Sequence, residues 1–111
     1  MTRRWTTLFD IAKTKRAELT RAPGRPGERT YRNHRLNLDL ILWHDGDEAW
    51  KLTIKRAGGM PDAGAIAFAR AAYRVPDEAV ERPFTNRREV SPKTGATLIY
   101  QGLELIWRET V

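Results

Sequence analysis

The hydrophobic pattern of the chain is strongest in two segments that alternate with a period of two. In Leu36–Trp43, leucine occupies every even position and the odd positions are mixed. Trp50–Ile54 has the same parity, with large apolar residues at its even positions. Such alternation is typical of strands with one buried face. Because Asp45-Gly46-Asp47 favours a tight reversal, we predict an antiparallel hairpin over Tyr31–Arg56 with its even-numbered face toward the core.

Two segments predict helices. Ala63–Arg74 is rich in alanine and follows Pro61-Asp62, which is typical of a helix start, so we expect this helix to cover the leucine face. Leu8–Thr20 follows a sequence resembling a capping box and has apolar residues at nearly helical spacing, which predicts a basic N-terminal helix. A strand over Trp5–Ile11 is the alternative, because so short a periodic stretch does not separate the two.

The remaining segments are predicted as two loops and a strand. Residues 21–28 contain two prolines and two glycines, and residues 82–96 have several breakers and no clear period, so both are predicted to be loops. Thr97–Arg108 carries apolar residues at odd and even positions. This is typical of a central strand or of one at a partner interface.

Together these elements predict an α+β fold. It consists of an antiparallel sheet of three or more strands, packed on one face by the alanine-rich helix, with the basic helix at the N-terminus. At 111 residues the chain is predicted to be a single domain, 1–111. Within it, residues 1–29 would form the basic helix and Pro/Gly loop, and residues 30–111 the sheet and helix core.

Composition narrows the functional classes. The chain has no cysteine, which excludes disulfides, thiolate metal sites and thiol catalysis. It has no apolar run near the roughly 20 residues needed to cross a bilayer, and its start lacks the apolar stretch of a secretory signal. We therefore expect a soluble cytoplasmic protein without a membrane partner.

The positive charge is concentrated in the first third of the chain. Residues 1–35 hold ten basic and three acidic residues, or +7, whereas the rest holds ten basic and eleven acidic, or −1. Fifteen of the twenty basic residues are arginine, whose planar fork suits phosphate. This distribution favours a polyanionic partner, with a solvated basic surface as the alternative.

Aromatic and basic residues also share the odd-numbered face of the predicted hairpin, where rings for base stacking and cations for phosphates would lie together. Tyr100 and Arg108 would join them if the last strand belongs to the same sheet. The alternative for Trp43 is packing beneath the N-terminal helix or at a dimer interface. The predicted nucleic-acid-binding residues are Arg3, Arg4, Lys13, Arg16, Arg21, Arg25, Arg29, Tyr31, Arg35, Trp43, Lys51 and Lys55.

The other motifs in the sequence are weaker indications of function. Gly24-Arg25-Pro26 is the central tripeptide of hooks that bind the minor groove of A·T-rich DNA, but Pro23 stands where those hooks have arginine, so a mobile basic linker is the simpler interpretation. No nucleophile–histidine pair, Gly-rich phosphate loop or zinc spacing is present, so no catalytic residue, cofactor or metal is predicted. Asp39 and Glu104 with a lysine could form a metal-dependent nuclease site, although a cross-strand ion pair explains Asp39 more simply.

The sequence thus predicts a small, non-catalytic nucleic-acid-binding protein that tolerates sequence and favours single strands or a backbone shape. The alternative is a protein-interaction module, for example a phage- or plasmid-type accessory factor or inhibitor. Its contacts would be Ile41, Trp43, Tyr100 and Ile106. A homodimer is compatible with either function.

Overall fold

A computed structural model describes residues 27–45 and 48–109, apart from the side chain of Arg29. The elements are β1 (Gly27–Asn33), β2 (Leu38–His44), β3 (Ala49–Ala57), α1 (Ala63–Ala72), β4 (Val80–Val90) and β5 (Thr97–Arg108). The five strands form one sheet in the order β1-β2-β3-β5-β4, and all neighbours are antiparallel. The chain crosses over from β3 to β4 through α1, which leaves room for β5 to insert between these two strands.

The even-numbered face of β2 and β3 forms the core, as the alternation predicts. Leu42 lies opposite Leu52, and Leu52 lies opposite Leu105 on β5, so these leucines form a buried row across the sheet. Burying a side chain of this size contributes about 1.5–3 kcal/mol. At one end of the same face the rings of Trp50 and Trp107 are parallel, with centroids 6.0 Å apart.

Helix α1 lies in the alanine-rich segment, where a helix was predicted, and it packs against this face through two alanines. The side chain of Asp62 caps the helix by accepting a hydrogen bond from the amide of Ala65 at 2.8 Å. Ala65 and Ala69 belong to the core cluster, because their small side chains let the helix approach the sheet closely. Tyr73 follows the helix and is also buried. Burial, with a smaller effect of Tyr31, raises the pKa of the Tyr73 hydroxyl to about 12.

The α+β assignment is wrong, because the described part of the chain is mostly β-sheet. It contains five strands of seven to twelve residues and a single helix of ten. The predicted N-terminal helix over Leu8–Thr20, like its strand alternative over Trp5–Ile11, lies outside the described residues. The sheet also begins earlier than expected, since β1 starts at Gly27, inside the segment predicted to be a loop.

Strand β4 includes residues 82–90 of the loop predicted over residues 82–96, and only residues 91–96 form a loop, which joins β4 to β5. In the described part of the sheet β4 is an edge strand, with β5 as its neighbour on one side. Proline is tolerated on an edge strand, because no second strand needs the N–H that Pro83 lacks. A register shift between Phe84 and Arg87 interrupts the alternation. Most side chains of β4 are exposed, so the strand carries no hydrophobic period by which the sequence could reveal it.

The first predicted strand is in fact two strands, β1 and β2, joined by a turn over residues 34–37. Asn37 closes this turn with a positive φ of 53°, and the side chain of Asn33 accepts a hydrogen bond from the amide of Leu36 at 3.0 Å. The turn reverses the parity of β1 relative to β2. Tyr31 therefore lies opposite Leu40 and packs against the core, on the face opposite to Trp43.

Candidate nucleic-acid interface

The face of the sheet opposite α1 is called here the polar face. Paired residues of neighbouring strands share a face, so the register arranges its side chains in rows. One row contains Trp43, Lys51, Ile106 and Val80, the next Ile41, Thr53, Glu104 and Arg82, and a third Asp39, Lys55, Gly102 and Phe84. Rings, cations and carboxylates thus lie on one face across four strands.

Trp43 lies half-buried on the polar face, away from the leucines of the core. Its neighbour on β3 is Lys51, whose Nζ lies 5.8 Å from the centroid of the tryptophan ring. An ammonium group at this distance is attracted by the face of an indole ring. The predicted proximity of Trp43 and Lys51 is confirmed.

Glu104 is the centre of the charge on this face. Its side chain is only 11% exposed, yet its carboxylate forms ion pairs with three basic side chains, which come from the two neighbouring strands. The Glu104 oxygens lie 3.0 Å from Arg87, 3.7 Å from Arg82 and 3.8 Å from Lys51. One carboxylate offsets one of the three positive charges, so this cluster has a local excess of two.

Phe84 and Arg87 extend the cluster onto the edge strand. The guanidinium carbon of Arg87 lies 3.8 Å from the centroid of the Phe84 ring, while the same side chain donates a hydrogen bond to Glu104. Arg82 points from the same strand and is 67% exposed. Sequence reasoning missed all three as site residues, because β4 was predicted to be a loop and its face could not be assigned.

Lys55, by contrast, is engaged within the sheet. Its side chain is 9% exposed, and its Nζ lies 2.6 Å from Glu89 Oε2 and 4.3 Å from the centroid of the Tyr100 ring. Glu89 neutralises the charge that was predicted to contact phosphate. The position of Lys55 on the polar face is as predicted, but its contacts favour a role in joining β3, β5 and β4.

Tyr100 and Asp39 lie beyond Lys55, at the end of the polar face where β2 begins. Asp39 Oδ1 accepts a hydrogen bond from Arg32 at 3.1 Å. Partial burial and the negative charges of Asp39 and Glu89 raise the pKa of the Tyr100 hydroxyl, while Arg32 opposes the shift.

The other predicted site residues are not all brought together. Arg35 is exposed in the turn between β1 and β2, and Arg29 lies on β1 opposite Leu42, with its side chain not described. Arg108 is on the polar face at its far end and bonds to Glu48. Outside the described residues lie Arg3, Arg4, Lys13, Arg16, Arg21 and Arg25.

Asp39 and Glu104, the two carboxylates considered for a metal-dependent nuclease, lie on strands separated by β3. Each is ion-paired with arginine, Asp39 with Arg32 and Glu104 with Arg82 and Arg87. Across residues 27–45 and 48–109, no group of three or more histidine or acidic side chains is arranged to hold a metal ion.

Comparison of the chain with protein-family models, curated proteins and solved structures gave no match. In the described part of the chain, no helix has the length and hydrophobicity needed to span a membrane.

Proposed function

We propose that this protein binds single-stranded nucleic acid through the polar face and catalyses no reaction on it. The observation that supports this most directly is the cluster around Glu104, in which three cations share one carboxylate. Two uncompensated positive charges on a sheet face attract a polyanion, because phosphate groups supply the missing negative charge.

Rings at both ends of the cluster supply the second ingredient. Trp43 lies beside Lys51, and Phe84 lies beside Arg87, so a cation and a ring occur together on β2–β3 and again on β4. Bases stack on such rings with about 1–3 kcal/mol each, independently of their identity. Neighbouring strands lie about 4.8 Å apart, so the three gaps from β2 to β4 span about 14 Å. This width suits a short single strand crossing the sheet.

The N-terminal segment adds charge to the same function. Residues 1–26 precede the described part of the chain and include seven arginines and lysines, at positions 3, 4, 13, 15, 16, 21 and 25. Arginine binds phosphate oxygens through paired N–H groups. We propose that these residues contact the backbone on either side of the nucleotides held on the sheet.

Fluorescence anisotropy with labelled single-stranded and duplex oligonucleotides tests this proposal. Binding through about six phosphates of a single strand should weaken by about two orders of magnitude between about 50 and 200 mM salt. The single strand should bind more tightly than the duplex, because only its bases are free to stack. Salt-independent binding, or none, would contradict the proposal.

A pair of charge-matched variants locates the interface. Arg82→Gln removes a cation from the polar face, whereas Arg70→Gln removes one from α1, where Arg70 pairs with Glu81. Arg82→Gln should weaken binding and reduce the salt slope by about 0.7, the value for one phosphate of a single strand. Arg70→Gln should have a much smaller effect. Equal effects would mean that only net charge matters and that the polar face is not the interface.

One observation favours a second function, recognition of a protein partner. Ile41, Trp43 and Ile106 are half-buried on the polar face, with Lys51 between Trp43 and Ile106, and Val80, which lies opposite Ile106, is 58% exposed. Aromatic and aliphatic side chains grouped in this way are common at the centres of protein interfaces. Such a contact should respond weakly to salt, so the titration at two salt concentrations separates the two functions.

A further inference from the structure

A shallow depression of about 490 Å³ lies at the end of the polar face beyond Lys55. It is bounded by the β1–β2 turn on one side and by the β4–β5 turn on the other. Its apolar lining includes Pro92, Leu98 and Tyr100, and its polar lining includes Arg32, Asn37 and Asp39. We infer that this depression binds one base of the nucleic acid and prefers cytosine to uracil; the inference rests on the proposed function.

The apolar lining provides the surface that a flat base requires. Tyr100 contributes a ring from β5, and Leu98, two residues before it in the same strand, lies on the same face. Lys55 holds the Tyr100 ring through a cation–π contact at 4.3 Å, and its ion pair with Glu89 anchors the strand beside it. The ring is therefore fixed before a ligand arrives, which reduces the entropy lost on binding.

The polar lining distinguishes one base from another. Arg32 donates hydrogen bonds both to Asp39 Oδ1, at 3.1 Å, and to the side-chain oxygen of Asn37. The Asp39 carboxylate, which is an acceptor, therefore lies beside the Arg32 guanidinium, which is a donor. Within residues 27–45 and 48–109, the second oxygen of Asp39 receives no hydrogen bond, and the side chain is 20% exposed. This oxygen is available as an acceptor.

Cytosine matches this arrangement and uracil does not. The amino group of cytosine at position 4 donates to a carboxylate, as in recognition of cytosine by Asp and Glu in DNA complexes. The ring nitrogen and carbonyl beside it accept from a guanidinium. Uracil presents a carbonyl oxygen at position 4, which would face the Asp39 carboxylate without a hydrogen between them. An acceptor facing an acceptor in a partly buried site is unfavourable.

Competition anisotropy with deoxycytidine and deoxyuridine decamers at pH 7.5 and about 100 mM salt tests the inference. The two decamers have equal charge and nearly equal size. We expect the deoxycytidine decamer to bind at least about fivefold more tightly to the unmodified protein. In Asp39→Asn the preference should fall to within about twofold, because the amide can donate to uracil as well as accept from cytosine.

Two further variants make the result specific. Glu81→Gln removes the same charge from an ion-paired carboxylate on the α1 side of the sheet and should keep the full preference. Asn37→Gly tolerates the positive φ of 53° and removes the amide that positions Arg32, so the preference should shrink even if Asp39→Asn unfolds. Equal binding of both decamers by the unmodified protein would overturn the inference while leaving the proposed function intact. Failure of both decamers to bind would overturn both.

Discussion

Replacement of Glu104 by glutamine should change stability and binding in opposite directions. The substitution keeps the shape of the side chain and an acceptor oxygen but removes the carboxylate that the three cations share. In the folded protein Lys51, Arg82 and Arg87 then repel one another without compensation. In a complex the same three cations are available to phosphate.

The loss of stability follows from the three distances and exposures. The hydrogen bond from Arg87 at 3.0 Å joins a guanidinium that is 34% exposed to a carboxylate that is 11% exposed. Charged hydrogen bonds of this kind contribute about 1.5–3 kcal/mol, of which the glutamine oxygen retains a part. Lys51 and Arg82 are more exposed and lie farther away, so each adds about 0–1 kcal/mol. We expect the free energy of unfolding to fall by about 1–2 kcal/mol.

The gain in binding follows from the charge. One additional uncompensated cation within about 10 Å of a phosphate contributes about 0.5–1 kcal/mol at 0.1 M salt. This corresponds to about two- to fivefold tighter binding of a single strand. Urea unfolding measures the change in the free energy of unfolding, and fluorescence anisotropy measures the change in affinity for the single strand. Glu81→Gln, which changes the net charge equally on the opposite face, is the control.

Unchanged or weaker binding by a folded Glu104→Gln protein would refute the reasoning, because excess charge in this cluster would then not meet phosphate. An increase of the same size in Glu81→Gln would refute it as well. A partner protein that docks on Trp43 and Ile106 predicts no salt-dependent gain in either variant. The experiment thus tests the proposed function and its location together.

Three further predictions concern the fold. In Gly102→Ala the new Cβ would lie 1.9 Å from the carbonyl oxygen of Ile54, so the β3–β5 pairing must open. Urea unfolding should then show that the free energy of unfolding falls by about 2–4 kcal/mol. In the control, Gly64→Ala in the helix, the new Cβ meets only ordinary contacts, and the free energy of unfolding should rise by up to about 1 kcal/mol. Burial raises the pKa of Tyr73 to about 12 from 10.0, so the unfolded chain loses this proton first and stability should fall as the pH rises from about 10 to 12, by up to about 2–3 kcal/mol more than in Tyr73→Phe. Asp62→Ala removes the helix cap and should cost about 1 kcal/mol in thermal unfolding. Equal effects of the two glycine substitutions, parallel pH profiles for the tyrosine pair, or an unchanged melting temperature without the cap would contradict these expectations.

The core could be predicted from the sequence because its signal is local. The alternation of leucines in β2 and the parity of Trp50–Ile54 depend only on neighbouring positions, and the buried pair of Leu42 and Leu52 follows from them. Leu105 joins this pair through the strand order, which places β5 beside β3. The alanine-rich helix was found for the same reason, since proline, an N-cap aspartate and a run of small residues mark it directly.

The polar face was predicted only in part, because parity is lost wherever a strand is interrupted. Trp43, Lys51 and Lys55 were placed correctly, but the turn after Asn33 moved Tyr31 to the core side. The two asparagines that bracket this turn were the available signal, since asparagine favours turns and tolerates positive φ. In β4 a proline and a bulge hid a strand that alternation could not reveal.

The cluster around Glu104 is a consequence of strand order, which no local pattern contains. The α1 crossover lets β5 insert between β3 and β4, so Glu104 has Lys51 on one side and Arg82 and Arg87 on the other. If β4 instead paired directly with β3, β5 would lie elsewhere and Glu104 could not receive cations from both of these strands. The excess charge on which the proposed function depends therefore arises from topology, between residues that are 17 to 53 positions apart in sequence.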